Sequence, residues 1–142
     1  MSKSVWIFAK PDSPEALDMG QRLKESFVKR GISIDSEVKA QKTGLGIVLG
    51  GDGTLLACLR DMGELRFEIP FLGIHQSPGL GFLHPIAAPR NEDAKSFWID
   101  KVGECVEALL SKPASENSKL FRIRERWGLE GFIKGTPTPF WS

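Results

Sequence analysis

Gly50, Gly51, Asp52, Gly53 and Thr54 place three glycines, a carboxylate and a hydroxyl in five consecutive positions. The apolar run Ile47, Val48, Leu49 precedes them and a helix-forming run follows. A strand, a glycine turn and a helix N-terminus in that order present the backbone N–H groups of residues 51–54 to an anion. Side chains at the glycines would crowd a di- or triphosphate, and Thr54 adds a hydroxyl donor. A carboxylate repels phosphate, so Asp52 suits another task. It can accept a proton from an attacking hydroxyl, or orient a hydroxyl or a metal-bound water. A plainer reading stays open, a tight turn in which Asp52 caps the next helix. The stretch is not a Walker A loop, and no G-x-G-x-x-G occurs at this strand.

A second glycine-bearing loop follows another apolar run, in GIHQSPGLGFL at residues 73–83. His75 would stand at the strand end as a polar contact or a turn residue. Phe82 and Leu83 could wall a purine, although such residues serve more often as core. His84 stands before Pro85 in a loop. Two histidines so placed, and two separate cysteines, support neither histidine catalysis nor a zinc site, and no metal ligand is assigned.

The elements that must hold these loops are legible in the pattern. SVWIFA at residues 4–9 reads as a buried first strand. Ser13 is a candidate N-cap with Pro14 at the first helical position, and Ala16, Met19, Leu23 and Phe27 recur at helical spacing until Gly31. Residues 32–35 alternate as a second strand, 47–49 form a third and 69–74 a fourth, with a helix over 54–62 between the last two. A further helix is expected over 94–110, with Trp98, Val102, Cys105 or Val106, and Leu109 on one side. Alternating strands and helices imply right-handed crossovers and a Rossmann-like parallel sheet with helices on both faces. Both glycine loops then fall at carboxyl ends of strands, where such sheets bind ligands.

Residues 1–112 are expected to form this α/β domain and residues 113–119 a linker. In residues 120–142, Phe121, Ile123, Trp127 and Leu129 alternate as strands, the start of an incomplete β-rich second domain. The chain has 142 residues with a formal net charge of +1, which offers no electrostatic footprint for nucleic acid or an anionic membrane. No apolar run is long enough to span a bilayer. Cys58 and Cys105 fall within predicted helices, consistent with a reducing, cytoplasmic setting.

GGDGTLL followed about twenty residues later by PFLGIHQSPGLGFL resembles the NAD kinases. Their signature is a GGDGT loop and then G-I-[NH]-x-G-x-LGFL. The opening VWIFAKPDSPEALDMGQRLKESFVKRGISI is similar to the family's usual start. The resemblance implies ATP-dependent phosphorylation of the adenosine-ribose 2′-hydroxyl of NAD, with Mg²⁺ or another divalent ion on the donor phosphates. It implies that Asp52 is the general base, that Gly50, Gly51, Gly53 and Thr54 belong to the phosphate loop, and that His75, Phe82 and Leu83 line the dinucleotide site. It also implies NAD and ATP, or polyphosphate, as substrates and a homo-oligomer for full-length members. Diacylglycerol-type lipid kinases share GGDGT but carry Gly-Thr-x-Asn-Asp in place of the LGFL segment. HQSPG is one residue longer than the family spacing, with Ser77 near a usual glycine, and Ala57 replaces a common basic residue. The family's Asn-Asp/Glu pair is absent before Ser142, so a truncated NAD kinase, inactive alone, is expected. A lipid kinase and a non-catalytic nucleotide-binding fragment are the alternatives.

Overall fold

The computed structural model describes residues 4–39, 41–67, 69–76, 86–111, 130–132 and 139–141. Strand β1 (Ser4–Ala9) has the bounds that its apolar run predicts. Helix α1 (Pro14–Lys29) starts as expected, with the Ser13 side chain accepting from the Ala16 N–H at 3.2 Å and proline in the first turn. Strands β2 (Ile34–Asp35) and β3 (Thr43–Gly50) follow, then helix α2 (Asp52–Met62) and a 3₁₀ turn over Gly63–Phe67. Strands β4 (Phe71–His75) and β5 (Ile86–Ala87) and helix α3 (Glu92–Ser111) complete the unit. Strands β6 (Glu130–Phe132) and β7 (Pro139–Trp141) form a separate antiparallel pair. The alternation at Phe121, Ile123, Trp127 and Leu129 lies outside the described residues.

Five strands form one parallel sheet in the order β2-β1-β3-β4-β5. Side-chain alternation sorts the sheet into two apolar faces. Val5, Ile7, Leu45, Ile47, Leu49 and Ile74 pack with Met19, Leu23 and Phe27 of α1 and with Ile99, Val102 and Val106 of α3. On the other face Val48 packs with Leu55 and Cys58 of α2, and Trp6, Phe8 and Phe71 border that cluster half-buried. This is the expected Rossmann-like α/β architecture, with helices on both faces. Among the described residues one face carries α1 and α3 and the other carries α2, and Trp6 and Phe8 of β1 stay half-buried beside it.

Several bounds differ from the sequence pattern. β3 runs four residues further back than 47–49, because Thr43, Leu45 and Gly46 pair with Ser4, Val5 and Trp6. α2 begins at Asp52, two residues before the expected start, and α3 extends beyond 94–110 at both ends. In α3 the buried stripe is Ile99, Val102, Gly103 and Val106, with Trp98 and Leu109 at its margins and Cys105 half-buried.

A polar cluster ties the amino ends of β1 and β3 to the last residue of β2. The Asp35 carboxylate, only 4% exposed, accepts from the Ser4 hydroxyl and from Thr43 Oγ1 at 2.7 Å, with Lys42 Nζ at 3.8 Å. Burial alone would raise the Asp35 carboxyl, but the Ser4 and Thr43 hydroxyls and the charges of Lys42 and Lys39 outweigh it and hold it below the ordinary 3.8. A depressed carboxyl contributes stability above its unfolded value and loses it as pH falls through the folded value. Asp35→Asn is therefore expected to lower stability at pH 7 by about 1.5–3 kcal/mol, the net worth of hydrogen bonds to a charged acceptor. Thermal melts from pH 7 to pH 2.5 should show the gap to wild type closing below about pH 4, near the unfolded carboxyl value. A constant gap across that range would mean that the charge contributes nothing.

Candidate functional site

The sheet order creates the site. From β1 the chain crosses through α1 to β2 on one side, and from β3 it crosses through α2 to β4 on the other. Connections diverging from adjacent strands leave a crevice beyond the carboxyl ends of β1 and β3. Those ends are held together, because the Lys10 N–H donates to the Leu49 carbonyl at 3.0 Å. On the far side the Gln76 N–H donates to the Gly50 carbonyl at 3.0 Å, which joins the end of β4 to the same point.

The residues of the glycine loop fall into distinct places. Gly50 ends β3 and Gly51 is the N-cap of α2, with no side-chain cap bond. Asp52, Gly53 and Thr54 form the first turn of the helix, and the first intrahelical bond runs from the Leu55 N–H to the Gly51 carbonyl at 3.2 Å. The reading in which Asp52 caps this helix is thus overturned: Asp52 lies inside the helix, and glycine holds the cap. Thr54, at the third helical position, is not the cap either. The N–H groups of residues 52–54 belong to the donors that an α-helix leaves without intrahelical partners. They point out of the N-terminus, where the helix dipole favours negative charge.

The glycines have different causes. At Gly50 φ is +157°, and a Cβ would come 2.8 Å from Thr54 Oγ1 and 3.0 Å from Thr54 Cβ. The chain's own packing therefore demands glycine there. At Gly53 a Cβ would meet nothing within 4 Å. Among the described residues no neighbour accounts for Gly53, and the open space before it is where a ligand can approach.

A cleft of about 920 Å³ opens from this loop between β1 and α2. Gly51, Gly53 and Thr54 close one end, Trp6 and Phe8 form the floor, and Ala57, Cys58 and Met62 line the wall. Lys10 and Asp12 stand on its rim, 3.7 Å apart, with 41% and 78% of their side chains exposed. Burial, and then the neighbouring Asp61, push the Cys58 thiol up to about 11, so it stays protonated at neutral pH and is no nucleophile.

The structure brings Gly50, Gly51, Asp52, Gly53 and Thr54 together at the crevice and sets His75 at the end of β4, beside Gly50 in register. Phe82 and Leu83 lie outside the described residues. Sequence reasoning missed Trp6, Phe8, Lys10 and Asp12. The signal was present, since Lys-Pro-Asp directly follows a strand, and the rule that places ligands at carboxyl ends applies to that strand too. Among the described residues, Gln76 Oε1 is the buried side-chain oxygen without a hydrogen-bond donor. No group of three or more metal-ligating side chains occurs among the described residues, and none of their helices is long and apolar enough to cross a membrane.

No family model matches the chain. Similarity to individual curated proteins is consistent. An NAD kinase of Nitratidesulfovibrio vulgaris (strain DSM 19637 / Miyazaki F) is 32% identical over 102 residues, covering 65% of this chain and 35% of that protein. NAD kinases of Geobacter sp. (strain M21) and Solibacter usitatus (strain Ellin6076) are each 35% identical over 103 and 101 residues, covering 59% and 60% of this chain. The chain spans about a third of the length of these relatives. A glycine loop at the β1/β3 crevice thus stands in a chain that, over about 60% of its length, is similar to curated NAD kinases.

Proposed function

We propose that this chain carries the phosphate loop and the catalytic base of an enzyme that phosphorylates the adenosine-ribose 2′-hydroxyl of NAD at the expense of ATP. The observation that supports it most is the placement of Asp52 in the first turn of α2, between the cap Gly51 and the unobstructed Gly53. In this reading the 52–54 N–H groups and Thr54 hold the donor phosphates. The Asp52 carboxylate takes the proton of the 2′-hydroxyl as its oxygen bonds to the γ-phosphorus. The bond from that phosphorus to the β-γ bridging oxygen breaks, and ADP leaves with the electron pair. Positioning and electrostatics, not covalent chemistry by the protein, supply most of the rate in such transfers.

A divalent cation such as Mg²⁺ fits this arrangement as a companion of the donor. Mg²⁺ is usually bound through one or two carboxylates plus substrate phosphates. Asp12, exposed on the cleft rim, is the residue placed to share it, and the ion would neutralise charge on the phosphates. The nicotinamide side of NAD, His75 as a dinucleotide contact, a homo-oligomeric assembly and a cytoplasmic setting belong to the same proposal. The 120–142 segment would begin a second, β-rich domain.

The test joins this chain to the remaining two thirds of the Geobacter relative, with the 142-residue chain alone as a control. The chimera is expected to convert NAD to NADP with ATP and Mg²⁺ and to leave diacylglycerol in vesicles unlabelled, while the control alone makes no NADP. Labelled phosphate on the lipid, with none on NAD, would transfer the chain to the lipid-kinase class.

A further inference from the structure

Helix α3 is buried along one side through Ile99, Val102, Gly103 and Val106, and Arg30 of α1 holds its flank at Asp100, 2.7 Å away. On the opposite side a second stripe runs through Ala94, Phe97, Lys101, Glu104, Ala108 and Ser111. These residues alternate three and four apart, the spacing of a seam between two helices. Phe97 is 68% exposed, more than Leu17 or Val28 of α1. The Lys101 ammonium lies 5.4 Å from the centre of the Phe97 ring and 3.2 Å from the Glu104 carboxylate. Both ions are more than half exposed, at 54% and 52%. Such a pair contributes little within one chain and can turn to another partner at small cost.

We propose that this stripe is a self-association surface, through which two copies of the chain pair α3 against α3, antiparallel across a twofold axis. The stripe is complementary to its own reverse. The register that sets Lys101 against Glu104 of the second copy also sets Phe97 against Ala108 and Ala94 against Ser111. Opposite charges then meet at the centre, a ring lies over a methyl group on either side, and small residues at the ends let the backbones approach. A twofold contact makes every one of these pairs twice, as an isologous interface requires. The charges identify the occupant as a second copy, because a plain apolar partner would cover Lys101 and Glu104 and match neither. The seam is about 25 Å long and holds one large apolar side chain from each copy, so it belongs to the small, transient class of interface. It lies on the sheet face away from the cleft, and pairing leaves the glycine loop open. The proposal does not depend on the phosphate-loop reading.

The experiment is analytical ultracentrifugation of the full 142-residue chain, with far-UV circular dichroism on every variant. Wild type should show a reversible monomer–dimer equilibrium with a Kd between roughly 1 µM and 1 mM, the range of small interfaces. Lys101→Glu and Glu104→Lys each place like charges opposite one another twice, so each alone should weaken pairing at least about tenfold while the helix signal is unchanged. An equimolar mixture of those two variants should form a heterodimer at about wild-type strength, since every Glu of one chain then faces a Lys of the other. Neither chain regains its own ion pair in that mixture, so the recovery reads the contact between chains. Phe97→Ser should also weaken pairing, whereas Leu17→Ser, on the outer side of α1, should leave it as it is. If Phe97→Ser unfolds, the two charge reversals and their mixture decide. Wild type that stays monomeric to about 1 mM overturns the proposal. So does association that either charge reversal leaves within about twofold, or a mixture that stays monomeric.

Discussion

Replacing Asp52 by Asn in the chimera is expected to lower kcat for NADP formation by on the order of 10²- to 10⁴-fold, the usual cost of losing a general base. The KM for NAD should change by less than about threefold, because an interaction made only in the transition state lowers kcat and kcat/KM equally. Asn has nearly the same shape and keeps a side-chain carbonyl, but it cannot take the proton. The position supports this division of labour. Asp52 is in the first turn of α2, so its backbone N–H is one of the helix's unpaired donors whatever its side chain is. A carboxylate there also interacts favourably with the helix dipole. Asp52→Asn should therefore slightly weaken the helix and slightly strengthen phosphate binding, while the rate collapses. Steady-state kinetics with ATP saturating, beside titration with a non-hydrolysable ATP analogue, separates these effects. Survival of turnover within about threefold would make Asp52 a positioning group and not a base.

The second large effect comes from the two glycines on either side of Asp52. Gly53→Ala should raise stability by up to about 1 kcal/mol, since alanine is the better helix former and its Cβ meets nothing within 4 Å. The same change should weaken tripolyphosphate binding by roughly 10- to 150-fold, the worth of a charge-assisted hydrogen bond that the new methyl group prevents. Gly50→Ala should behave in the opposite manner as a structural lesion. Its φ of +157° disfavours a side chain, and its Cβ would fall 2.8 Å from Thr54 Oγ1. The start of α2 must then shift, with a loss of about 1–3 kcal/mol in stability as well as binding. Urea melts and calorimetric titrations on both variants check the pair. If Gly53→Ala bound tripolyphosphate as wild type does, the open face of the loop would not be where phosphate lies.

Much of this was legible in the chain before it folded. The apolar run at Ser4–Ala9, the Ser13–Pro14 helix start and the 3.6-residue spacing of Ala16, Met19, Leu23 and Phe27 are local signals, and each sits where its pattern puts it. The glycine turn between β3 and α2 was legible for the same reason. Glycines around one carboxylate, between a strand and a helix, are a local arrangement that marks a tight turn in the sequence itself. The start of β3 was not legible. The apolar pattern marks only 47–49, yet the strand starts at Thr43 and needs Gly46, because the Phe71 ring of the neighbouring strand lies across it, where a Cβ would come within 2.5 Å. A contact between strands twenty-five residues apart leaves no trace in either strand's own periodicity. The start of α2 at Asp52 was likewise decided by Thr54 packing onto Gly50.

The cleft depends on tertiary structure most of all. Trp6 and Phe8 look like core in the sequence, since alternate aromatic residues in a strand usually mean burial on that face. They become a ligand-sized floor because α1 and α3 pack on one side of the sheet while α2 covers mainly β3 on the other. Composition and motif thus determined the sheet, its helices and the glycine turn before α2. Strand order decided which residues share the crevice, because it sets the carboxyl end of β1 beside that of β3 and so brings Lys10 to the glycine loop forty residues further along the chain.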